Sequence, residues 1–188
     1  MTAKPIVAIF DLDRTITTSG TYTPALLGWA LRHAPMRLLL APVAALLMLG
    51  YVAKLMSRTT LKLWMLRLLM GRVRRATLEA FAETFARSTV PDRCNHDVLE
   101  EIRRLQSTGA AVGIATASFD WCARAIGRQL GIGAIIATRS VVAADGRLDF
   151  AIDGRNCYGM EKRRMIEAAF ASAFGIERAQ FFGRPLEL

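Results

Sequence analysis

Cysteine is scarce in this chain and follows no recognisable pattern. Only three cysteines, Cys94, Cys122 and Cys157, occur in 188 residues. Their number is odd and no two stand in a Cys-x-x-Cys spacing, which excludes a disulfide framework and a cysteine zinc site as the basis of the fold. The first apolar stretch is short and runs directly into Asp11, which is not the pattern of a signal peptide. We therefore expect reduced thiols and a cytoplasmic protein.

Acidic residues are absent from one long stretch, since none occurs between Asp13 and Glu79. Over the whole chain 25 Lys and Arg outnumber 16 Asp and Glu, so the net charge is +9. A basic surface favours anionic partners such as phosphates and acidic lipid headgroups. The basic residues are mostly scattered arginines, without a tract interleaved with aromatic residues. We therefore expect no nucleic-acid partner.

One segment combines high hydrophobicity with a lack of charge. The chain is 53% hydrophobic with a mean hydropathy of +0.28, and residues 38–53 contain no charged side chain. This run is shorter than the roughly twenty residues of a spanning helix, and Pro42 interrupts it. Three interpretations stay open: a buried helical cap, an interfacial or re-entrant helix pair on an anionic membrane, and a true span. Basic residues on both sides of the run favour the interface, so residues 38–58 are a candidate membrane surface.

The rest of the chain alternates strand and helix patterns and contains no internal repeat. Alternation of this kind is typical of α/β proteins with a parallel sheet. Strands are predicted near residues 5–9, 110–115, 134–138 and 180–182, with a hairpin over 140–153 around Asp145-Gly146. Helices are predicted over residues 97–105, 121–130 and 161–174.

Two carboxylates follow the first predicted strand, and they are the strongest chemical signal in the chain. One residue separates Asp11 from Asp13, and an extended backbone turns side chains i and i+2 to the same side. Two like charges at this separation cost free energy unless a cation or a shared proton relieves them. The pair therefore predicts a site of chemistry at the end of the strand.

The string from Phe10 to Thr15, Phe-Asp-Leu-Asp-Arg-Thr, resembles the first motif of the haloacid dehalogenase (HAD) superfamily, with Arg14 where glycine is common. The resemblance implies that Asp11 is a nucleophile that forms an aspartyl-phosphate. It implies that Asp13 protonates the leaving group and then activates water. It also implies that Asp11 and the backbone carbonyl of Asp13 hold Mg²⁺.

The second motif of the superfamily is a hydroxyl residue at the tip of the next core strand. Thr116 fits this position, and the resemblance implies that its hydroxyl and the backbone N–H of Ala117 bind the phosphoryl group. Ser118 follows two residues later, and two roles stay open for it: a part of this motif, or the cap of the following helix.

The third motif supplies a lysine that neutralises the phosphoryl charge. The stretch Gly159-Met160-Glu161-Lys162 opens the third predicted helix. The resemblance favours Lys162 over Arg163 and Arg164 for this role.

The fourth motif of the superfamily, Gly/Ser-Asp-x-x-x-Asp, is missing. Arg184 stands at the position of its first acid and Leu188 at that of its second, and the nearby Glu187 is displaced. We expect a truncated, altered or engineered tail, weak Mg²⁺ binding, and slow or absent turnover.

Together these features predict an α/β, HAD-like (Rossmannoid) parallel-sheet core formed by residues 1–16 and 91–188, with residues 17–90 inserted as a helical, apolar cap. The position of the cap resembles the phosphoserine-phosphatase-like subfamily IB, and within it the group containing phosphatidylglycerophosphatase C.

The expected activity is Mg²⁺-dependent hydrolysis of a phosphomonoester, on a lipid phosphate such as phosphatidylglycerophosphate. The alternatives are an enzyme acting on a small soluble phosphate such as phosphoserine, and a catalytically degenerate, membrane-associated binding protein. The expected location is the cytoplasm, peripheral on the cytoplasmic face of the membrane.

Overall fold

A parallel sheet positions the candidate site. The computed structural model describes residues 7–174 and 180–182. Within these residues five strands form one sheet in the order β4-β3-β2-β1-β5. The strands are β1 (Val7–Asp11), β2 (Ala111–Phe119), β3 (Ala134–Val142), β4 (Leu148–Asp153) and β5 (Gln180–Phe182). Strand β1 is parallel to both β2 and β5, β2 is parallel to β3, and only β4 is antiparallel to its neighbour. The predicted α/β fold with a mainly parallel sheet is confirmed.

The described part of the chain contains seven α-helices. They are α1 (Tyr22–His33), α2 (Ala41–Val52), α3 (Arg58–Met65), α4 (Arg75–Arg93), α5 (His96–Ser107), α6 (Asp120–Gln129) and α7 (Gly159–Phe174). Helices α1 to α5 all lie between β1 and β2, and we call residues 22–93, which contain α1 to α4, the helical insertion. A 3₁₀ segment (Pro35–Leu40) and a single π turn (Leu66–Met70) complete the insertion.

The interior position of β1 follows from its composition. Ala8, Ile9 and Phe10 are at most 1% exposed, because β1 is covered on both faces of the sheet. A continuous apolar run suits a strand buried on both sides. The register pairs Asp11 with Ala115 of β2, so the residues that follow both strands meet at one edge of the sheet.

Two local predictions need correction. Strand β2 does not end at residue 115 but continues to Phe119, with an irregularity in its pairing to β3 between Thr116 and Phe119. Residues 134–138 and the first arm of the hairpin form one strand, β3, because the extended backbone that pairs with β2 over residues 134–138 continues without a break and pairs with β4 over residues 139–142. The hairpin turn itself is confirmed at Asp145-Gly146, where Gly146 has a φ of 74°.

The uncharged run is helical and exposed, so its interpretation as a buried helix is wrong. Pro42 lies in the first turn of α2, where a missing backbone N–H costs nothing, so it starts the helix and does not break it. Residues Pro35–Val52 form one helical stretch of 18 residues, of which 6% are buried, and its length and composition would suffice to cross a membrane. The most exposed apolar side chains of the insertion are those of Leu31, Met36, Leu39, Leu46, Leu49, Val52 and Leu55.

Candidate active site

The predicted nucleophile and the predicted phosphate-binding lysine lie together. Asp11 is the last residue of β1, and its Oδ1 accepts hydrogen bonds from the Leu12 N–H at 2.9 Å and from Lys162 Nζ at 2.8 Å. Lys162 lies near the start of α7 and is only 6% exposed. Asp11 Oδ2 accepts no hydrogen bond from the described part of the chain. One carboxylate oxygen is thus held by a cation, and the other is left for a ligand.

The backbone turns back sharply after Asp11. The N–H of Ile16 bonds the Asp11 carbonyl at 3.2 Å and that of Thr17 bonds the Leu12 carbonyl at 2.9 Å. Arg14 sits in this turn with a φ of 63°, in the left-handed region that favours glycine. This geometry explains why glycine is common at the matching position of the motif that the sequence resembles.

Asp13 is held by three hydrogen-bond donors. Its Oδ1 accepts from the Thr21 N–H at 2.6 Å and from Thr21 Oγ1 at 2.7 Å, and its Oδ2 accepts from Ser118 Oγ at 2.8 Å. Thr21 and Ser118 are both buried and lie 2.9 Å apart through their hydroxyl oxygens. The acid–base candidate is therefore fixed in one orientation by Ser118 of β2 and by Thr21, the residue that precedes α1.

The structure decides between the two roles left open for Ser118. Helix α6 begins after Phe119, and no side chain caps its first turn. Ser118 binds Asp13, so it belongs to the site and is not a helix cap. The sequence signal for this role is its spacing, because Ser118 follows Thr116 by two residues in an extended segment. Thr21 carries no comparable signal.

Thr116 and Ala117 lie where the second motif predicts them, directly after the residue of β2 that pairs with Asp11. Thr116 is fully buried, and its Oγ1 accepts a hydrogen bond from the Ser118 N–H at 3.0 Å. The Ala117 carbonyl accepts bonds from Lys62 Nζ at 2.5 Å and from Thr138 Oγ1 at 2.9 Å. Two donors on one carbonyl fix the orientation of this peptide beside the nucleophile.

Lys62 is a site residue that sequence reasoning missed. It belongs to α3, is 8% exposed, and its ammonium lies 4.1 Å from the centroid of the Phe119 ring. Besides Ala117, it bonds Asn156 Oδ1 at 3.4 Å. Burial lowers the pKa of Lys62 to about 7, and the nearby charge of Asp13 opposes this shift. A single lysine in a short helix gives no signal of burial until the helix is placed against the core.

A cavity of about 150 Å³ opens between α3 and the ends of β1 and β2. Its lining combines Asp13 and Ser118 with two cations of α3, Arg58 and Lys62, and with apolar side chains. The apolar part consists of Met48, Leu61 and Met65. The Tyr22 hydroxyl also lines the cavity and donates to the Lys62 carbonyl at 2.6 Å, which ties α1 to α3.

A larger cavity of about 490 Å³ lies between α4, α6 and the hairpin strands. None of the predicted site residues lines it. Its charged side chains pair with one another, as Arg75 with Glu79, Arg124 with Asp120, and Arg128 with Glu83. The cavity therefore presents no convergent charge of one sign.

The cysteines do not compete with Asp11 for the role of nucleophile. All three are buried. Burial raises the pKa of Cys157 to about 11 and also raises the pKa values of Cys94 and Cys122. A thiol that stays protonated is a weak nucleophile.

The described residues contain no group of three or more His, Cys, Asp or Glu side chains that would form a metal cage. Asp11 Oδ2 and the Asp13 carbonyl are the oxygen atoms that the first motif offers. The predicted departure from the fourth motif, at Arg184 and Leu188, lies outside the described residues.

A parallel α/β sheet with a carboxylate at the end of an interior strand, paired with a buried lysine, is the arrangement of a hydrolase core. The chain belongs to the haloacid dehalogenase-like hydrolase family, which it matches over residues 8–183. The match spans both segments predicted to form the core and the insertion between them. The resemblance drawn from the sequence motifs is confirmed at this level.

Individual relatives agree with this assignment. The chain is 30% identical over 171 residues to Protein CicA of Caulobacter vibrioides, covering 89% of this chain and 73% of that protein. A protein with unknown function from Bordetella pertussis Tohama I has the same fold, with a TM-score of 0.78 at 22% identity, covering 90% of this chain and 76% of that one. A substrate-bound phosphoserine phosphatase shares the fold with a TM-score of 0.61 at 17% identity, covering 93% and 74% of the two chains.

Proposed function

We propose that this protein is a Mg²⁺-dependent phosphatase that cleaves phosphomonoesters through an aspartyl-phosphate on Asp11. The observation that carries this proposal is the pairing of Asp11 Oδ1 with Lys162 at 2.8 Å, which leaves Oδ2 as the attacking atom. Attack of Oδ2 on phosphorus forms the acyl-phosphate bond and breaks the bond to the leaving oxygen. Lys162 offsets the negative charge that develops on the phosphoryl oxygens.

Asp13 would carry the protons. It gives one to the leaving oxygen in the first step, and in the second it takes one from the water that attacks phosphorus and frees Asp11. The bonds from Thr21 and Ser118 hold its carboxylate in position for both transfers. Thr116 Oγ1 and the Ala117 N–H would bind the phosphoryl oxygens, because these two residues follow the residue of β2 that pairs with Asp11.

The residues present fit a magnesium ion. Asp11 and the backbone carbonyl of Asp13 would hold it through oxygen atoms, and Mg²⁺ commonly takes one or two carboxylates together with substrate phosphate and water. When bound, the ion neutralises phosphate charge and relieves the repulsion between the two acids.

For the substrate we propose a lipid phosphate such as phosphatidylglycerophosphate. The support comes from the helical insertion, where α2 is apolar on all sides and only its Ala44 is buried. A helix of this kind is normally covered by protein or lipid. Arg37 and Lys54 flank the uncharged run, and cations beside a bilayer gain from acidic headgroups. The proposed location is therefore peripheral, on the cytoplasmic face, with residues 38–58 against an anionic membrane.

The phosphoserine-phosphatase-like assignment supports a second candidate, a small soluble phosphate. The basis is the shared fold with the substrate-bound phosphoserine phosphatase. The two candidates differ in what the insertion contacts: an apolar chain for the lipid, and polar groups for an amino acid.

The test compares turnover of phosphatidylglycerophosphate in mixed micelles with turnover of phosphoserine, each with Mg²⁺ and with a chelator. We expect Mg²⁺-dependent release of phosphate, faster from the lipid. Asp11→Asn should lose at least about 100-fold in rate, the contribution typical of one catalytic group, whereas Asp92→Asn, at an exposed position of α4, should not. Faster turnover of phosphoserine would favour the soluble substrate. Wild-type turnover in Asp11→Asn would rule out the mechanism.

A further inference from the structure

The carbonyl of Ala117 lies where the pairing of two core strands is interrupted. The register between β2 and β3 shifts between Thr116 and Phe119, and side chains bond the Ala117 carbonyl there. Lys62 Nζ donates to it from the insertion at 2.5 Å, and Thr138 Oγ1 donates to it from β3 at 2.9 Å. One donor thus comes from the insertion and one from the core, and they hold the same carbonyl between them.

The peptide that carries this carbonyl also carries a donor to a predicted phosphate-binding residue. A peptide unit is planar, so the Ala117 carbonyl and the Ser118 N–H belong to one rigid group, which we call the 117–118 peptide. Its N–H donates to Thr116 Oγ1 at 3.0 Å. A bond accepted at Oγ1 does not use the hydroxyl proton of Thr116, which can be donated to a phosphoryl oxygen. The two donors on the carbonyl therefore help to set the position of the Thr116 hydroxyl.

The same peptide is connected to the acid–base candidate. The side chain of Ser118 donates from Oγ to Asp13 Oδ2 at 2.8 Å. A tilt of the 117–118 peptide would therefore disturb two contacts at once, the one that holds Thr116 and the one that holds Asp13. Small errors in the placement of reacting groups are costly in catalysis.

The burial of Lys62 is a second sign of a role beyond packing. The residue is 8% exposed, and its hydrogen bonds in the described part of the chain go to two neutral oxygens, those of Ala117 and Asn156. Burying an ammonium without an ion pair costs free energy, which an apolar side chain of similar length would avoid. The Tyr22 hydroxyl and the Phe119 ring, which contact the Lys62 carbonyl and ammonium, hold the residue in place.

We infer that Lys62 is a positioning residue for phosphoryl transfer, which acts through the 117–118 peptide on Thr116 and makes turnover depend on the docking of the helical insertion against the core. The inference rests on the proposed phosphatase function and concerns the same site. Lys62 contributes to the hydrolysis of every phosphomonoester, whatever its leaving group, because its contact is with the protein and not with the substrate. Without the insertion in place, the Ala117 carbonyl keeps only the donor from Thr138.

The experiment uses para-nitrophenyl phosphate, whose leaving group offers no second anion for Lys62 to bind. With the full chain and Mg²⁺, we expect Lys62→Met to lower kcat by about tenfold to 100-fold with a smaller change in KM, since complete loss of one stabilising donor costs about 100-fold or more. Arg103→Met removes an exposed cation from α5 and is the control, which should keep the wild-type kcat.

A double-mutant cycle tests whether Lys62 acts through Thr116. Thr116→Val removes the hydroxyl at nearly constant volume, and the double variant combines it with Lys62→Met. Because the second change can only misplace a group that the first has removed, we expect the double variant to lose little beyond Thr116→Val alone. Thr138→Val removes the other donor and should resemble Lys62→Met, whereas Thr138→Ser keeps a hydroxyl and should retain activity. The Thr138 variants replace Lys62→Met in the cycle if that variant does not fold.

The outcomes separate this inference from the proposed function. Additive losses in the cycle, an unchanged kcat in Lys62→Met, or a loss seen with phosphoserine but not with para-nitrophenyl phosphate would overturn the positioning role and leave the phosphatase standing. If the wild type hydrolyses neither substrate, the proposed function fails, and calorimetric titration with inorganic phosphate and Mg²⁺ then decides. Weaker binding in Lys62→Met that Thr116→Val does not weaken further would support the inference. Equal binding in the wild type and Lys62→Met, or no binding to either, would overturn it.

Discussion

Lys162 donates a hydrogen bond to Asp11 over 2.8 Å, joining two residues that are 151 positions apart in the chain. The bond links the start of α7 to the end of β1, and both side chains are largely withdrawn from solvent. In the proposed mechanism Lys162 binds the phosphoryl group and Asp11 attacks it. The motifs predicted both residues, and the fold places them in contact.

Removing the lysine charge should impair catalysis far more than removing its neighbour's. Lys162→Met eliminates the cation that offsets charge in phosphoryl transfer, and we expect kcat to fall by roughly 100-fold to 1,000-fold, the range for losing one electrostatic stabiliser. Arg163→Met is the matched control, because Arg163 is exposed and pairs with Glu167 on the surface of α7. Steady-state phosphate release measures both. Equal losses in the two variants would show that Lys162 has no special role.

The hydroxyl groups around Asp13 should set the rate of proton transfer. Ser118→Ala removes the donor to Oδ2 and frees the carboxylate to rotate, so we expect kcat to fall by about tenfold with little change in KM, since a positioned acid or base contributes 100-fold or more in total. Ser107→Ala is the control, because that exposed hydroxyl bonds the carbonyl of Arg104 within its own helix. An unchanged kcat in Ser118→Ala would mean that Thr21 alone positions Asp13.

The exposed apolar stretch should bind anionic vesicles. The full chain is expected to float with vesicles containing acidic lipid, to bind neutral vesicles weakly, and to lose binding as added salt screens the attraction. Replacing Leu46 and Leu49, which are 66% and 64% exposed, with serine should weaken binding. Val142→Ser changes an exposed apolar residue of β3 and serves as the control. A protein that stays in solution with anionic vesicles at low salt would remove the main support for a lipid substrate.

Lys62 should make the free energy of unfolding depend on pH. Its pKa is about 7 in the folded protein against an ordinary 10.5. Between these values the unfolded chain binds more protons, so stability increases as pH rises. From pH 6 to pH 9 the difference in unfolding free energy between the wild type and Lys62→Met should therefore grow by roughly 3 kcal/mol in favour of the wild type.

Urea unfolding at the two pH values measures this difference. Lys54→Met, at an exposed position, is the control and should show no such trend. A difference between wild type and Lys62→Met that is independent of pH would show that Lys62 is solvated or ion-paired in solution.

A carboxylate at position 184 should strengthen metal binding. In the sequence, Arg184 stands where the fourth motif of the family has its first acid. A guanidinium at that position of the motif would add repulsion toward a cation, whereas a carboxylate would add an oxygen ligand. We expect Arg184→Asp to lower the Mg²⁺ concentration for half-maximal activity by at least about tenfold, as for other changes around a metal's ligands. Arg184→Ala distinguishes loss of repulsion from gain of a ligand. No change in either variant would show that the fourth motif is dispensable here.

The sequence alone was sufficient for the features that depend on local pattern. The apolar run before Asp11 specified a strand buried on both faces, and Asp145-Gly146 specified the hairpin turn, because these signals are confined to a few neighbouring residues. Asp11, Asp13, Thr116 and Lys162 were named from motifs whose spacing along the chain is constrained by the chemistry. The same local reasoning was wrong where pairing between strands decides the outcome, as in the extension of β2 to Phe119.

The tertiary structure alone decided which residues surround the motif residues. Ser118 reaches Asp13, and Lys62 of the insertion reaches the Ala117 carbonyl, through contacts between segments that are far apart in the chain. No local pattern indicates the contact of Thr21 with Asp13 or that of Lys62 with Ala117. Composition likewise does not determine whether residues 35–52 are exposed. An apolar helix is equally consistent with a protein core and with a lipid surface until its neighbours are known. The motif residues can be identified from short stretches of sequence. Burial and side-chain contacts depend on which distant segments the fold brings together.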